Sequence, residues 1–320
     1  MPKGALALAI GLLAAAAIAQ AAAAACDPAP AHAFLPTPPV VTYGSERALA
    51  AGVTVRDIRF AGPSGRPITG EIVAGAGLEP HPGVLFVHWL GDAKTTNHTE
   101  FEPDAIALAR KGATSLLVDA LWSDPAWFDT MGKSLDADER TTEGQVADLR
   151  RALDALDAQP NIDPNRIAYV AHDFGAMMGA LLSCEDARPR WYVLMAGTAT
   201  LSEWYLLGKK VPDETYIARL NTDLDLEASL SRSKAEGFLF QFAAHDHYIP
   251  EGRAQVLLSA APLPKGAFWY DADHALAVPT ALADRLAWLG QRLFGGAGPQ
   301  AQARRSGAQP QPDFRRERLT

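Results

Sequence analysis

The sequence predicts an α/β domain, with about eight strands in a mostly parallel sheet and helices on both faces. Three observations carry this expectation. Short uninterrupted apolar runs recur through the middle of the chain, stretches with helical spacing separate them, and 48% hydrophobic residues in 320 can bury a large core. Runs that are apolar at every position, rather than at alternate ones, belong to strands covered on both faces.

The elements follow in chain order. Val53 to Phe60 and Ile68 to Val73 alternate in polarity and flank the turn Gly62-Pro63-Ser64-Gly65, so they read as a hairpin. Val84-Leu85-Phe86-Val87 is the first buried strand, followed by a helix near Asp104 to Arg110 and a second strand, Ser115-Leu116-Leu117-Val118. An amphipathic helix then sets Val146, Leu149, Leu153 and Leu156 on one face and ends at Pro160. Ile167 to Val170 is a strand running into a helix from Gly175, and Tyr192 to Met195 is another strand. Phe238 to Phe242, Phe268 to Tyr270 and a last helix from Thr280 to Phe294 complete the series.

The ends stand apart from this pattern. From Gly4 to Cys26 the only polar side chain is Gln20, and Lys3 is the only charge before Asp27, which reads as an export signal over residues 1–25. The expected location is a periplasm or the exterior, with no membrane span once the signal is removed. Cleavage directly before Cys26, after Ala23-Ala24-Ala25, would make Cys26 a lipid anchor; a cut after Ala19-Gln20-Ala21 would not. Residues 26–45, with five prolines between Asp27 and Pro39, read as a linker, 46–294 as the domain, and 295–320 as a solvated tail. That tail holds five arginines against two acids.

Formal charge is −8, from 29 basic and 37 acidic side chains, so nothing draws the protein to nucleic acid. Two cysteines, Cys26 and Cys184, are too few for a disulfide framework or a cysteine-built zinc site. Burial is therefore expected to hold the fold, with no metal or cofactor.

The sharpest local signal is Tyr169-Val170-Ala171-His172-Asp173-Phe174-Gly175-Ala176-Met177, a buried strand entering a helix through small residues. This segment resembles the nucleophile elbow of the α/β-hydrolase superfamily, with Ala171 and Gly175 as its small residues and Asp173 at the nucleophile position. The likeness covers about residues 53–294, and without a large cap domain it is most similar to the dienelactone hydrolase and acyl-peptidase side of that superfamily. It implies an acid at Asp246, in Ala244-His245-Asp246-His247-Tyr248-Ile249-Pro250, and a base at His274, in Tyr270-Asp271-Ala272-Asp273-His274-Ala275-Leu276. It also implies an anion pocket formed by the backbone N–H groups of Phe174 and of Trp89, in His88-Trp89-Leu90-Gly91. Asp271 and Asp273 are alternative partners for His274, and His172 is expected to pack beneath the turn.

Most relatives carry Ser at the elbow, and dienelactone hydrolases carry Cys; epoxide hydrolases and haloalkane dehalogenases carry Asp. A carboxylate attacking an ester yields an anhydride, more reactive than the ester itself. Attack on a saturated carbon bearing a leaving group yields an ordinary alkyl ester, which water activated by His274 then hydrolyses. The resemblance thus implies a small organic substrate, an epoxide or a halide. This chain has Phe174 where haloalkane dehalogenases have Trp, and lacks the Pro that the epoxide branch carries near Gly91-Asp92. An epoxide needs a proton donor, for which Tyr205 and Tyr216 stand in the insertion at about 200–237. A halide needs N–H donors, for which Trp89, Trp122 and Trp127 stand on loops at the same mouth, with His88 beside them. Two other readings stay open: an ester or lactone hydrolase with Asp173 as base toward water, and a binding protein without turnover. His245 and His247 lack a third metal ligand at a supporting spacing.

Overall fold

The computed structural model describes Cys26 and residues 37–77, 79–92 and 95–295. The expected signal over 1–25, most of the Pro-rich linker and the tail beyond Gly295 lie outside the described residues. Strands β1 (Thr42–Tyr43), β2 (Arg47–Ala50), β3 (Val53–Ala61) and β4 (Pro67–Gly75) form an antiparallel flank. Strands β5 (His81–Val87), β6 (Thr114–Val118), β7 (Ile162–His172), β8 (Pro189–Met195), β9 (Gly237–Ala243) and β10 (Lys265–Tyr270) run parallel to one another. The order across the sheet is β1-β3-β4-β6-β5-β7-β8-β9-β10, with β2 paired to β3.

Ten strands therefore stand where about eight are expected. The additions are β1 and β2, and β1 falls inside the stretch read as linker, pairing Thr42 with Arg59 and Tyr43 with Ile58. Two exposed residues at a sheet edge leave no hydrophobic alternation to read. At the sheet centre Val84 to Val87 and Ile167 to Ala171 are at most 1% exposed, because helices cover both faces.

The helices are α1 (Glu102–Ala109), α2 (Pro125–Phe128), α3 (Leu135–Asp157), α4 (Phe174–Glu185), α5 (Leu201–Leu206), α6 (Tyr216–Asp223), α7 (Leu226–Ser231), α8 (Glu251–Ala260) and α9 (Pro279–Leu293). Helix α3 begins well before the apolar stripe at Val146. Its first turns are polar, and Asp136 and Asp138 suit the positive end of the helix dipole. Helices α5 to α7 occupy the expected insertion. A buried pair, Arg285 Nε to Asp104 Oδ1 at 2.5 Å and Nη2 to Oδ2 at 2.9 Å, ties α9 to α1 across 181 residues.

Cys184, fully buried in α4, forms a disulfide with Cys26 across 158 residues, their Cα atoms 5.1 Å apart. The expectation that burial alone holds the fold is thus corrected. The bonded Cys26 sulfur is also unavailable for a lipid thioether. No helix among the described residues is long and apolar enough to cross a membrane.

Candidate active site

Strand β7 ends at His172 and α4 starts at Phe174, which leaves Asp173 alone in the bend between them. Its backbone sits at φ 56° and ψ −116°, a conformation that costs a side-chain-bearing residue about 1–3 kcal/mol. Neighbouring structure holds it there. The Asp173 N–H donates to the Met195 carbonyl at 2.7 Å, joining the bend to β8. A Cβ on Gly175 would lie 2.8 Å from the Val87 oxygen and 3.0 Å from the His88 oxygen, so only glycine lets α4 approach the end of β5 this closely.

The bend drives the Asp173 carboxyl into the interior, at 0% exposure. Oδ2 accepts a hydrogen bond from the Leu90 N–H at 3.0 Å. Oδ1 has no hydrogen-bond partner and lies 3.6 Å from His274 Nε2, which has none either. Behind that ring, His274 Nδ1 donates to Asp246 Oδ2 at 2.8 Å, and Asp246 Oδ1 accepts from the backbone N–H groups of Tyr248 (2.8 Å) and Ile249 (2.9 Å). Asp271 instead meets exposed His245 at 2.7 Å, and Asp273 accepts from the Ala275 N–H. Of the three aspartates near the base, Asp246 is the one that orients it.

Burial by itself would lower the His274 pKa, but the nearby Asp173 carboxylate, together with the hydrogen bond and charge of Asp246, outweighs burial and holds it at about 9. Burial pushes the Asp246 carboxyl up, and it still ends below the ordinary carboxylate value because the His274 ring and the two backbone N–H groups favour its anion. A carboxylate, an imidazole and a second carboxylate are therefore aligned, with the reactive-side oxygen and ring nitrogen both uncommitted.

The anion pocket differs from the expected one. The Trp89 N–H donates to Glu100 Oε2 at 2.8 Å and is not available to Asp173; the next amide, Leu90, takes its place. Phe174 opens α4, so its N–H lacks an intrahelical acceptor, as expected of a helix's first residue.

The expected pocket residues divide. His88 is 1% exposed and lies under the turn: its Nε2 accepts from Ala120 N and Ser123 Oγ, and its Nδ1 donates to the Trp89 carbonyl. Burial lowers its pKa, in keeping with a neutral ring. The Trp122 indole N–H is spent on the Trp89 carbonyl at 2.8 Å, which removes it as a halide donor. The rings of Trp122, Trp127 and Tyr205 pack on Phe174 at 5.0, 5.7 and 5.5 Å between centroids. Tyr205 meets Thr142 Oγ1 through its hydroxyl at 2.7 Å, and the Tyr216 hydroxyl donates to Asp138 Oδ2 at 2.7 Å. Burial pushes both phenols up, with Asp138 adding to it, and both hydroxyls are bonded to residues of α3 rather than to Asp173.

Four groups escape the sequence reading. Leu90 and Glu100 carry no motif signal. Trp204 and Tyr248 place their rings 5.6 and 5.1 Å from the His274 ring, and Tyr248 stands in the loop already singled out for Asp246.

No family model and no curated protein matches the chain. Among solved structures it is similar to an acetyl xylan esterase from Paenibacillus sp., at TM-score 0.66 and 19% identity, over 80% of this chain and 90% of that one. It is also similar to a cold-adapted esterase from an Arctic intertidal metagenomic library, at TM-score 0.58 and 17% identity, over 79% of this chain and 99% of that one. A third likeness is to 2,6-dihydroxy-pseudo-oxynicotine hydrolase, at TM-score 0.55 and 18% identity, over 75% of this chain and 68% of that one. Identities this low are likenesses of fold: the chain has the α/β-hydrolase fold, a mostly parallel sheet carrying its candidate site at the strand ends.

Proposed function

We propose that the protein is an exported hydrolase whose Asp173 attacks a saturated carbon in a small, largely apolar substrate, an epoxide or an alkyl halide. One observation carries this reading. The Asp173 carboxylate is buried with Oδ2 held by the Leu90 N–H, while Oδ1 is uncommitted and faces a histidine. Oδ1 forms a bond to the substrate carbon, and the leaving group departs with the electron pair of the bond that breaks. The product is an alkyl ester whose carbonyl oxygen is Oδ2.

Alkylation also changes the base. Esterified Asp173 carries no charge, so one of the two carboxylates that hold the His274 proton is lost and the pKa of the ring falls. The released proton follows the leaving group or goes to solvent. Neutral His274, held by Asp246, then takes a proton from a water that adds to the Asp173 Cγ. The Leu90 N–H, with the first amide of α4 at Phe174, stabilises the negative charge that grows on Oδ2. Collapse of this intermediate returns the His274 proton to the departing alkoxide, and the carboxylic acid left on Asp173 passes its proton to His274, which restores both the carboxylate and the protonated ring.

A second reading has a specific observation in its favour, since the two esterases above are structural neighbours. In it Asp173 acts as base toward water on an ester or lactone. The two readings part at a covalent adduct. With His274→Gln, incubation with epoxides, haloalkanes and esters followed by intact mass is expected to show an alkyl adduct on the peptide bearing Asp173. Turnover of esters by the unaltered protein, with no adduct in the variant, establishes the base reading instead. A protein that turns over nothing yet melts higher with small ligands is a binding protein.

A further inference from the structure

Glu100 and His172 lie outside every role assigned above, yet between them they touch both sides of the site. Glu100 sits on the turn His98–Phe101, between β5 and α1. Its Oε2 accepts the Trp89 N–H at 2.8 Å and its Oε1 lies 2.7 Å from His172 Nδ1. His172 ends β7 immediately before Asp173 and is 1% exposed. Its other nitrogen, Nε2, lies 2.9 Å from the backbone carbonyl oxygen of His274. The Trp89 ring lies flat on the imidazole, 5.3 Å between centroids and 5° between planes.

Two consequences follow from donor and acceptor chemistry alone. A carboxylate and a carbonyl both accept, so an imidazole that satisfies both must donate from both nitrogens. With the Trp89 N–H turned toward Glu100, the following amide, Leu90, is the one that meets Asp173. The turn is anchored at its other end too: His98 Nδ1 lies 2.7 Å from Asp119 Oδ1, at the end of β6.

We infer that Glu100 and His172 are positioning residues: Glu100 sets the Leu90 amide against Asp173, and His172, donating from both ring nitrogens, sets the backbone of His274 on the other side. What they position depends on the function proposed above; the contacts themselves do not. Neither residue touches the reacting atoms. Their effect is to fix the distance between an anion donor and a base, where small misplacements cost rate steeply.

The test uses the full chain with Glu100→Gln, Glu100→Ala and His172→Gln. Nitrogen-15 NMR of the histidine side chains is expected to show two protonated ring nitrogens at His172, and one of them bare in Glu100→Ala. A bare ring nitrogen at His172 in the unaltered protein overturns the inference. On any panel substrate that is turned over, Glu100→Ala is expected to lower kcat about tenfold or more with KM little changed. Glu100→Gln, which keeps one acceptor in the same space, is expected to recover part of the loss. Unchanged kcat in Glu100→Ala and His172→Gln also overturns it. Absence of any turnover defeats the proposed reaction and leaves the NMR result to decide this inference.

Discussion

His274 Nε2 stops 3.6 Å short of Asp173 Oδ1, and neither atom has another hydrogen-bond partner. The charge on Asp173 nevertheless contributes to holding the ring proton. Asp173→Asn is therefore expected to move the His274 pKa down from about 9, with Asp246 as its remaining carboxylate neighbour, as read by NMR titration. A value that stays at about 9 contradicts the alignment described for the site.

The same raised pKa sets a stability window. Its folded value, about 9, exceeds the 6.5 of an ordinary histidine, so His274 contributes stability fully below pH 6.5 and loses it as pH rises through about 9. The melting midpoint of the unaltered protein should fall between pH 7 and 9.5 by more than that of His274→Gln. Parallel curves would show that His274 contributes nothing across this range.

Asp246→Ala removes the ring's orienting acceptor and leaves the Tyr248 and Ile249 amides without theirs. A loss of about a hundredfold or more in kcat is expected, with the protein still folded by circular dichroism. Asp271→Ala and Asp273→Ala, whose carboxyls point elsewhere, should leave kcat within about twofold by the same logic.

Gly175→Ala places a methyl group against two backbone carbonyls of the β5 end, which cannot swing aside as a side chain can. The expected cost is roughly 1–3 kcal/mol of stability, seen in urea denaturation, with kcat falling as well because the elbow must shift. Gly252→Ala, where an added Cβ meets open space, is the control and should leave activity unchanged.

The Cys26–Cys184 bond closes a long segment of chain onto α4. Reduction, or Cys184→Ala, is expected to lower the unfolding free energy by about 2–5 kcal/mol, measured with and without a thiol reductant. Equal stability in both conditions would show that the bond is not formed in solution.

The parts of this fold that the sequence declares are those dictated locally. Val84 to Val87 and Ile167 to Val170 read as strands because sheets covered on both faces demand uninterrupted apolar runs. The elbow reads because a strand-to-helix bend as tight as Asp173's needs small neighbours such as Gly175. Contacts between distant segments leave no such mark. Glu100 takes the Trp89 amide across 11 residues and reaches His172 across 72, so the choice of Leu90 as donor cannot be seen from the His88-Trp89-Leu90 motif. Likewise the hydroxyls of Tyr205 and Tyr216 are claimed by Thr142 and Asp138, more than 60 residues away. Both tyrosines sit in the insertion as anticipated, but their polar ends are bonded to α3.

Trp89 lies face to face with His172 and 5.7 Å from the His274 ring, against both imidazoles of the site, which themselves lie 5.5 Å apart. Indole emission is quenched by a protonated imidazole at contact and recovers when the proton leaves. With His172 holding its charge against Trp89 throughout, the change in indole emission, from Trp89 and from Trp204 on the same ring, is expected to report the charge on His274. Under the proposed chemistry, alkylation of Asp173 releases the His274 proton and hydrolysis returns it, so emission is expected to rise and fall once in each turnover of an unlabelled substrate.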